Sequence, residues 1–238
     1  NAIQARGGTF NDSGNTTHVV TENGNVNRNG STQYKDLIDG DAVGYIFDGT
    51  GDYLSVPDHA DWPSGTNSFT MEAWIRFDSV ADSKGFFNHW SGGGEQRAFD
   101  FYWTHTTSEI IFKASSDGGS GANVFAESWS PDVDIWYHVA VSRSGNSWYV
   151  FVDGTQLGST TTDSVNILDS TANLTIGQGI NSSLMIGSMD EIRISDTARY
   201  TTGFTPTSVE FTSDANTKFL MHCNETIVSG TTGSGATF

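Results

Sequence analysis

The chain has 238 residues, a formal net charge of -17 and one cysteine. A charge this negative repels phosphate backbones, which argues against sequence-independent nucleic-acid binding. The single Cys223 excludes an internal disulfide and a cysteine-based zinc site. No run of about 18 apolar residues is present, so we expect no membrane span. The amino terminus also lacks the apolar stretch of a signal peptide.

Short runs that alternate apolar and polar residues recur along the chain, separated by clusters of Gly, Asn, Asp and Ser. This pattern is typical of an all-β sandwich or barrel, and seven Trp, seven Tyr and fifteen Phe supply its core. The predicted strands, in chain order, are 42–47, 53–56, 69–77, 99–103, 109–113, 136–143, 147–152, 174–177, 184–194 and 218–222.

Strand 69–77 shows the clearest alternation, with Phe, Met, Ala, Ile and Phe at its odd positions. One face is therefore expected to be buried, and Trp74 is expected on the wetter face or under a second layer. Residues 144–146 predict a tight hairpin, and Asp153-Gly154 predicts a turn with positive φ.

The segments between the strands are expected to be irregular for the most part. Segments 114–123 and 158–173 are rich in Ser, Thr, Gly and Asp and are predicted to be loops, while short helical turns are predicted near 58–62 and 196–200. Two packed antiparallel sheets, about 10 Å apart, account for the whole pattern.

Six stretches in a fixed order carry a family resemblance: FNDSGN at 10–15, YIFDGTGDYL at 45–54, FTMEAWI at 69–75, WYHVAVSRSG at 136–145, YVFVDG at 149–154 and GSMDEIRIS at 187–195. Together they resemble a concanavalin A-like, laminin G-type domain over residues 7–211. The resemblance implies an all-β, two-sheet antiparallel jelly-roll sandwich. With its Gly, Ser and Thr content and ARYT at 198–201, the chain is also similar to modules of large viral and bacterial surface proteins.

The carboxyl end carries a strand, KFLMH at 218–222, of the kind with which the resembled family usually opens. We therefore expect a domain of residues 1–216 and a terminal segment of residues 217–238. This segment could complete its own sandwich, begin the next module of a tandem array, or be donated to a neighbouring copy through strand 217–223. Coincidence among Gly, Ser and Thr is the fourth explanation.

A structural calcium ion is the expected cofactor. Asp12-Ser13-Gly14-Asn15 and the loop 48–52 offer the oxygen ligands that Ca²⁺ prefers. The resemblance implies Asp12, Asn15 and Asp190 as ligands, with Asp48 as a weaker candidate. The alternative is that Asp12 and Asp48 merely form Asx turns.

A glycan-binding surface is the second expectation, because sugar rings stack on aromatic faces and pair with polar side chains. The candidate residues come from a glycine-rich loop, a strand expected to face the sheet surface, and a further loop: Trp90, Glu95, Gln96, Arg97, Trp103 and Trp129. The alternative is that these tryptophans pack in the core or at its rim.

Catalytic signals are weak. The paired carboxylates of glycoside hydrolases are not found at the family's spacing, since Glu72 stands alone on its strand, and no Gly-x-Ser-x-Gly elbow is present. No two histidines have metal-ligand spacing on a helix or in a short loop, and His138 is expected to be a core residue.

The sequence therefore predicts a non-catalytic, calcium-stabilised, lectin-like adhesion module of an extracellular or virion surface, which binds a glycan or a surface protein. The alternatives are a structural repeat or decoration subunit that assembles through strand edges, and a polysaccharide-active enzyme.

Overall fold

The structure is a computed structural model that describes residues 12–28, 44–91 and 95–222. Cys223, residues 42–43 of the first predicted strand, and the tail beyond His222 lie outside the described residues. No helix in the described part of the chain has the length and apolar character needed to cross a bilayer.

Sixteen strands are described: β1 (Thr21–Asn23), β2 (Asn27–Arg28), β3 (Tyr45–Asp48), β4 (Tyr53–Val56), β5 (Phe69–Phe77), β6 (Lys84–Ser91), β7 (Gln96–Thr104), β8 (Glu109–Ala114), β9 (Ala122–Ser128), β10 (Trp136–Ser144), β11 (Ser147–Val152), β12 (Thr155–Gln156), β13 (Thr161–Thr162), β14 (Leu174–Ile176), β15 (Ile186–Ser195) and β16 (Thr217–Met221). The helical element within the described ranges is a 3₁₀ turn at Ile180–Ser182.

The strands form two antiparallel sheets, which confirms the predicted sandwich. A seven-stranded sheet has the order β1-β4-β14-β6-β7-β8-β9, and a nine-stranded sheet follows β12-β11-β10-β5-β15-β3-β2. In the second sheet, β13 also pairs with β11, and β16 pairs with β15. The predicted turn at Asp153-Gly154 is confirmed, with φ values of 49° and 72° at its two residues.

Two long strands, β6 and β9, were not predicted. In β6 the adjacent Phe86 and Phe87 are both fully buried, and a bulge shifts the register between Gly85 and Phe87. The bulge breaks the alternation by which a strand is recognised in a sequence. Strand β9 begins at Ala122, inside the predicted loop 114–123. The two predicted helical turns are not found. Residues near 58–62 form a non-helical turn, and residues 196–200 are irregular.

The core lies between the sheets and follows the alternation of β5. The side chains of Phe69, Met71, Ala73, Ile75 and Phe77 are at most 2% exposed. Phe69 packs against the ring of Phe112 from β8, while Phe77 packs against Trp103 from β7. Aromatic side chains from both sheets thus interdigitate, as in other sandwiches.

A covering segment, residues 196–216, packs over the outer face of the nine-stranded sheet. Trp74 is 9% exposed because Phe211 of this segment and Leu220 lie against it. The hydroxyl of Thr70 donates to the carbonyl of Thr197 at 2.8 Å. Trp74 therefore lies under a second layer, one of the two positions expected from the sequence.

Strand β16 pairs with the second half of β15 in this single chain, with Ile192 opposite Met221. A bulge at Glu191, which has a φ of 48°, shifts the register of β15 with β5 just before this pairing begins. Met189 and Ile192 both face the core, although residues three positions apart in a regular strand point to opposite faces. The extra residue of the bulge therefore turns Ile192 back toward the core.

Candidate functional site: a cationic groove on the seven-stranded sheet

A groove of about 420 Å³ lies on the outer face of the seven-stranded sheet. Its volume is in the range of small-ligand sites. The residues that line it come from three adjacent strands and two loops: Asn88, Trp90, Arg97, Lys113, Ser120 and Gln178–Ser182. We call this site the groove.

The floor of the groove is set by strand register. Asn88 of β6 lies opposite Asp100 of β7, which lies opposite Lys113 of β8. These three side chains alternate with core residues such as Phe99 and Phe112, so they point away from the second sheet. The Asn88 amide donates to Asp100 Oδ1 at 2.9 Å, which fixes the position of both polar groups.

Asp100 is fully buried beneath the groove. Burial raises the pKa of Asp100 to about 7, although hydrogen bonds from Asn88 and from the Ile180 N–H and the charge of Lys113 act in the opposite direction. About half of Asp100 is therefore neutral near pH 7, and on average it offsets only part of the positive charge of Lys113.

The loop Gln178–Ser182 forms one wall. The Ile180 N–H donates to Asp100 Oδ2 at 3.1 Å, which ties this loop to β7. The wall also comes very close to β6, because a Cβ at Gly85 would lie 1.9 Å from the nitrogen of Gly179. Asn181 and Ser182 have φ values of 57° and 58°, a conformation that is uncommon for residues with a side chain and is found at functional sites.

Trp90 is the aromatic residue of the groove, and two cations lie next to it. The centroid of its ring is 5.7 Å from Arg97 Cζ and 5.5 Å from Lys113 Nζ, distances at which cations are attracted to an aromatic face. Trp90 is partly exposed. The groove thus combines an aromatic surface with two positive charges in a chain whose net charge is -17.

Of the six predicted ligand-binding residues, the structure brings Trp90 and Arg97 together in the groove. Glu95 is exposed and does not line it, and residues 92–94 of the same loop lie outside the described residues. Gln96 Oε1 accepts a 2.7 Å hydrogen bond from the Thr171 N–H, so it holds a neighbouring loop.

The other two predicted residues, Trp103 and Trp129, are packed with the core. Trp103 is 2% exposed, which corrects the expectation that it faces the sheet surface. Its indole N–H donates to the carbonyl of Trp129 at 3.0 Å. Trp129 is half-buried against Phe77 and Tyr137. Trp103 points inward because it alternates with Tyr102 on β7.

Sequence reasoning missed Asn88, Lys113, Ser120 and the wall loop Gln178–Ser182. Asn88 belongs to the unpredicted strand β6, and Lys113 is a single polar residue near the end of a predicted strand. They meet through pairing between strands, which leaves no local signature in the sequence.

The predicted calcium ligands make hydrogen bonds within the protein. Asp12 accepts hydrogen bonds from the N–H groups of Gly14 and Leu220, at 2.7 and 2.9 Å, and lies beside His18. The Asn15 amide donates to the carbonyl of Asp214. In the described ranges, the one convergent group of three His, Cys, Asp or Glu side chains includes none of Asp12, Asp48 and Asp190.

Asp48 and Asp190 also bind neighbouring backbone. Asp48 Oδ1 accepts from the Thr50 N–H at 2.6 Å, as in the Asx turn that was the alternative interpretation. Asp190 Oδ1 accepts from the Glu191 N–H at 2.7 Å, inside the bulge of β15. Bound calcium at these residues stays a prediction.

Comparison with solved structures finds the same fold in proteins of very different sequence. Domain 4 of AbnA, a GH43 extracellular arabinanase from Geobacillus stearothermophilus, is 14% identical with a TM-score of 0.54, and the match covers 76% of this chain and 83% of that chain. The botulinum neurotoxin serotype G binding domain is 8% identical with a TM-score of 0.59, and covers 80% and 46%.

A structure of botulinum neurotoxin type C is 12% identical with a TM-score of 0.54, and the match covers 81% of this chain and 48% of that chain. The chain thus spans less than half of the two neurotoxin chains. At these identities the likeness establishes the fold alone. A search of curated proteins gave no match.

The sequence profile of a laminin G-type family, described as the concanavalin A-like lectin/glucanases superfamily, matches residues 48–202. The match covers well over half of the chain and includes most strands of both sheets and all the residues of the groove. It confirms the predicted resemblance. The chain belongs to the concanavalin A-like lectin/glucanases superfamily.

Proposed function

We propose that this domain binds glycans in the groove, with a preference for acidic sugars. The observation that carries the proposal is the position of Trp90 beside Arg97 and Lys113, on an open face of the seven-stranded sheet. The apolar face of a sugar ring packs on an aromatic ring, and its hydroxyl groups pair with polar side chains such as Asn88 and Gln178.

The preference for acidic sugars follows from local charge. The described residues that line the groove include Arg97 and Lys113 and no carboxylate. Asp100, directly beneath, has a pKa raised to about 7 by burial and is therefore only a partial counter-charge near pH 7. Arg and Lys side chains form strong charge-assisted hydrogen bonds with carboxylates and sulfates. The negative charge of the remaining surface would repel acidic ligands elsewhere.

The structural relatives support a binding role. Domain 4 of the Geobacillus arabinanase was solved in complex with arabinotriose, and the study of botulinum neurotoxin type C describes cell entry through two ganglioside molecules. By analogy, we propose a non-catalytic module of an extracellular or virion-surface protein. A calcium ion at Asp12, Asn15, Asp48 or Asp190 would stabilise it. A higher melting temperature of the metal-free chain after addition of CaCl₂, but not of MgCl₂, would support this ion.

A glycan array that includes sialylated, uronic-acid and neutral glycans, followed by calorimetry with the best ligand, tests the proposal. We expect Trp90→Ala and Lys113→Gln each to weaken binding at least about tenfold. Lys113→Gln is expected to reduce the salt dependence of binding as well.

The matched controls change the same chemistry away from the groove. Tyr149→Ala removes a partly exposed aromatic from β11, and Arg76→Gln removes a partly exposed cation from β5. Both should bind as the unmodified chain does. Binding that survives Trp90→Ala and Lys113→Gln would refute the groove as the site, and an array without hits would count against glycan binding altogether.

A further inference from the structure

We propose a zinc site formed by His18, His59 and Asp61, at a position separate from the groove. One ligand atom from each residue lies within 4.8 Å of the other two. His18 is 7% exposed and Asp61 is half-buried, while His59 is exposed at the surface. The three residues come from two segments far apart in sequence, which is why spacing gave no sign of them.

The orientation of His18 is the strongest evidence. Its Nδ1 lies 2.5 Å from Asp12 Oδ2, so the ring proton on this side is directed to the carboxylate. Its Nε2 is buried and has no hydrogen-bond partner among the described residues. A buried nitrogen without a partner is costly. A carboxylate that orients a histidine whose other nitrogen points to an ion is the usual arrangement around zinc.

Two of the three distances between ligand atoms suit a tetrahedral ion. His18 Nε2 lies 3.3 Å from Asp61 Oδ2, and His59 Nδ1 lies 3.1 Å from the same oxygen. Ligand atoms about 2.1 Å from a tetrahedral zinc are about 3.4 Å apart. The Asp61 N–H donates to His59 Nδ1 at 3.2 Å, which places the ring proton of His59 on Nε2. The lone pair of Nδ1 accepts this hydrogen bond, so an ion that binds Nδ1 must displace it.

Charge and ligand type favour zinc over calcium. Two imidazoles and one carboxylate suit Zn²⁺, whereas Ca²⁺ takes six to eight oxygens. The charge of the ion would be balanced by Asp61 and by Asp12 behind His18. Lys218 Nζ, whose charge acts on Asp61, is paired with Asp196 at 2.9 Å. With three protein ligands, the fourth position would hold water.

A bound ion would join two parts of the chain, one of which also lies along β16. The segment that carries Asp12 and His18 lies along β16, where the Ser13 N–H donates to the carbonyl of Leu220. His59 and Asp61 belong to the loop after β4, and the ring of Trp62 from this loop lies 4.6 Å from that of His18.

The alternative is a doubly protonated His18 held between Asp12 and Asp61, with no ion.

The test uses the tag-free full chain with Cys223→Ser, because a free thiol also binds zinc. After incubation with ZnCl₂ at pH 7.5 and dialysis, we expect one zinc per chain by elemental analysis and a raised melting temperature. Binding should be lost or weakened at least about tenfold in His59→Ala and in Asp61→Asn. Replacement of zinc by Co²⁺ should give the intense visible absorption of a tetrahedral site.

The matched control is His105→Ala, which removes another exposed histidine and should leave zinc uptake unchanged. His59 is exposed, so His59→Ala is expected to fold. No zinc uptake by the unmodified site, or uptake that His59→Ala leaves intact, would overturn the proposal and favour the protonated His18. Because the groove takes no part, loss of zinc and loss of glycan binding are distinguishable.

Discussion

The phenol of Tyr200 donates a 2.8 Å hydrogen bond to Glu72 Oε2 across the outer face of the nine-stranded sheet. The same oxygen lies 3.0 Å from His138 Nε2, and Oε1 accepts from Arg193 Nε at 2.8 Å. Glu72 and His138 are fully buried, which confirms His138 as a core residue. Glu72, which stands alone in its strand, is thus the centre of a network that fastens the covering segment.

We expect Glu72→Gln to lower the free energy of unfolding by about 3–5 kcal/mol, because it leaves the buried cation of Arg193 without its counter-charge. Burial by itself raises the pKa of Glu72, but the hydrogen bond from His138 and the charge of Arg193 outweigh it and hold this pKa below its ordinary value. Urea unfolding near pH 7 measures the loss.

The control for this prediction is Glu109→Gln, at a partly exposed carboxylate of β8, where a change within about 0.5 kcal/mol is expected. Because the pKa of Glu72 is lowered on folding, its contribution to stability is present above the unfolded pKa and disappears as the pH falls through the folded one. The free energies of unfolding of Glu72→Gln and of the unmodified chain should therefore converge in acid. Equal stability at neutral pH would contradict a stabilising role for the network.

Asp100 should give the opposite pH dependence. Its pKa rises from 3.8 to about 7 on folding, so between these values the unfolded chain binds fewer protons than the folded chain, and this group lowers stability as pH rises. Asp100→Asn should remove that dependence. Between pH 5 and pH 8, the stability of the variant relative to the unmodified chain should rise by about 3 kcal/mol.

The measurement is urea unfolding at several pH values, with Asp132→Asn as an exposed control that should leave the slope unchanged. The amide has one acceptor fewer than the carboxylate, which changes the free energy of unfolding of Asp100→Asn by the same amount at every pH. The readout is therefore the slope of this free energy against pH. Parallel curves for the variant and the unmodified chain would show that Asp100 is ionised throughout.

Gly85→Ala should displace the wall of the groove. A Cβ at this position would lie 1.9 Å from the nitrogen of Gly179, so the loop must move. We expect a loss of about 1–3 kcal/mol in stability together with weaker ligand binding. Gly203→Ala, where the nearest atom would be 3.4 Å away, is the control and should be neutral. Unchanged binding by Gly85→Ala would mean that the wall takes no part.

Strand β16 should be indispensable to its own sandwich. Phe219, Leu220 and Met221 are fully buried, and burial of each contributes about 1.5–3 kcal/mol. A chain of residues 1–216 should therefore lose its cooperative thermal transition, whereas a chain of residues 1–222 should keep it. Circular dichroism measures both.

The same two chains separate the positions that the sequence left open for this strand. If β16 stays in its own domain, the chain of residues 1–222 should be a monomer at all concentrations in size-exclusion chromatography. A fraction of dimer that rises with protein concentration would instead indicate that β16 is donated to a neighbouring copy. A stable fold of residues 1–216 would show that the strand is dispensable.

The sequence predicted the elements whose pattern is local. Strand β5 has a clear alternation, and the turn at Asp153-Gly154 carries its own turn chemistry, so both were found. Strand β6 was hidden because Phe86 and Phe87 point to the same core from adjacent positions. A bulge is a property of two paired strands, and one strand read alone does not reveal it.

The candidate sites divide in the same way. Trp90 and Arg97 flank one glycine-rich loop and were predicted together, whereas Lys113 joins them through the register of β7 with β8. His18 and Asp61 meet through tertiary packing of distant segments. Trp103 was placed on the wrong face. Alternation along a strand indicates that its two faces differ, but it does not indicate on which face a tryptophan lies.

The covering segment gives the sandwich two unlike sides. On one sheet, Tyr200 and Phe211 seal the strands beneath a layer of loop; on the other, a groove opens directly onto the strands. A domain built in this way has a front and a back. In a larger assembly, neighbouring subunits could pack against the sealed side while the groove stays turned outward, so orientation on a surface would be set by the fold itself.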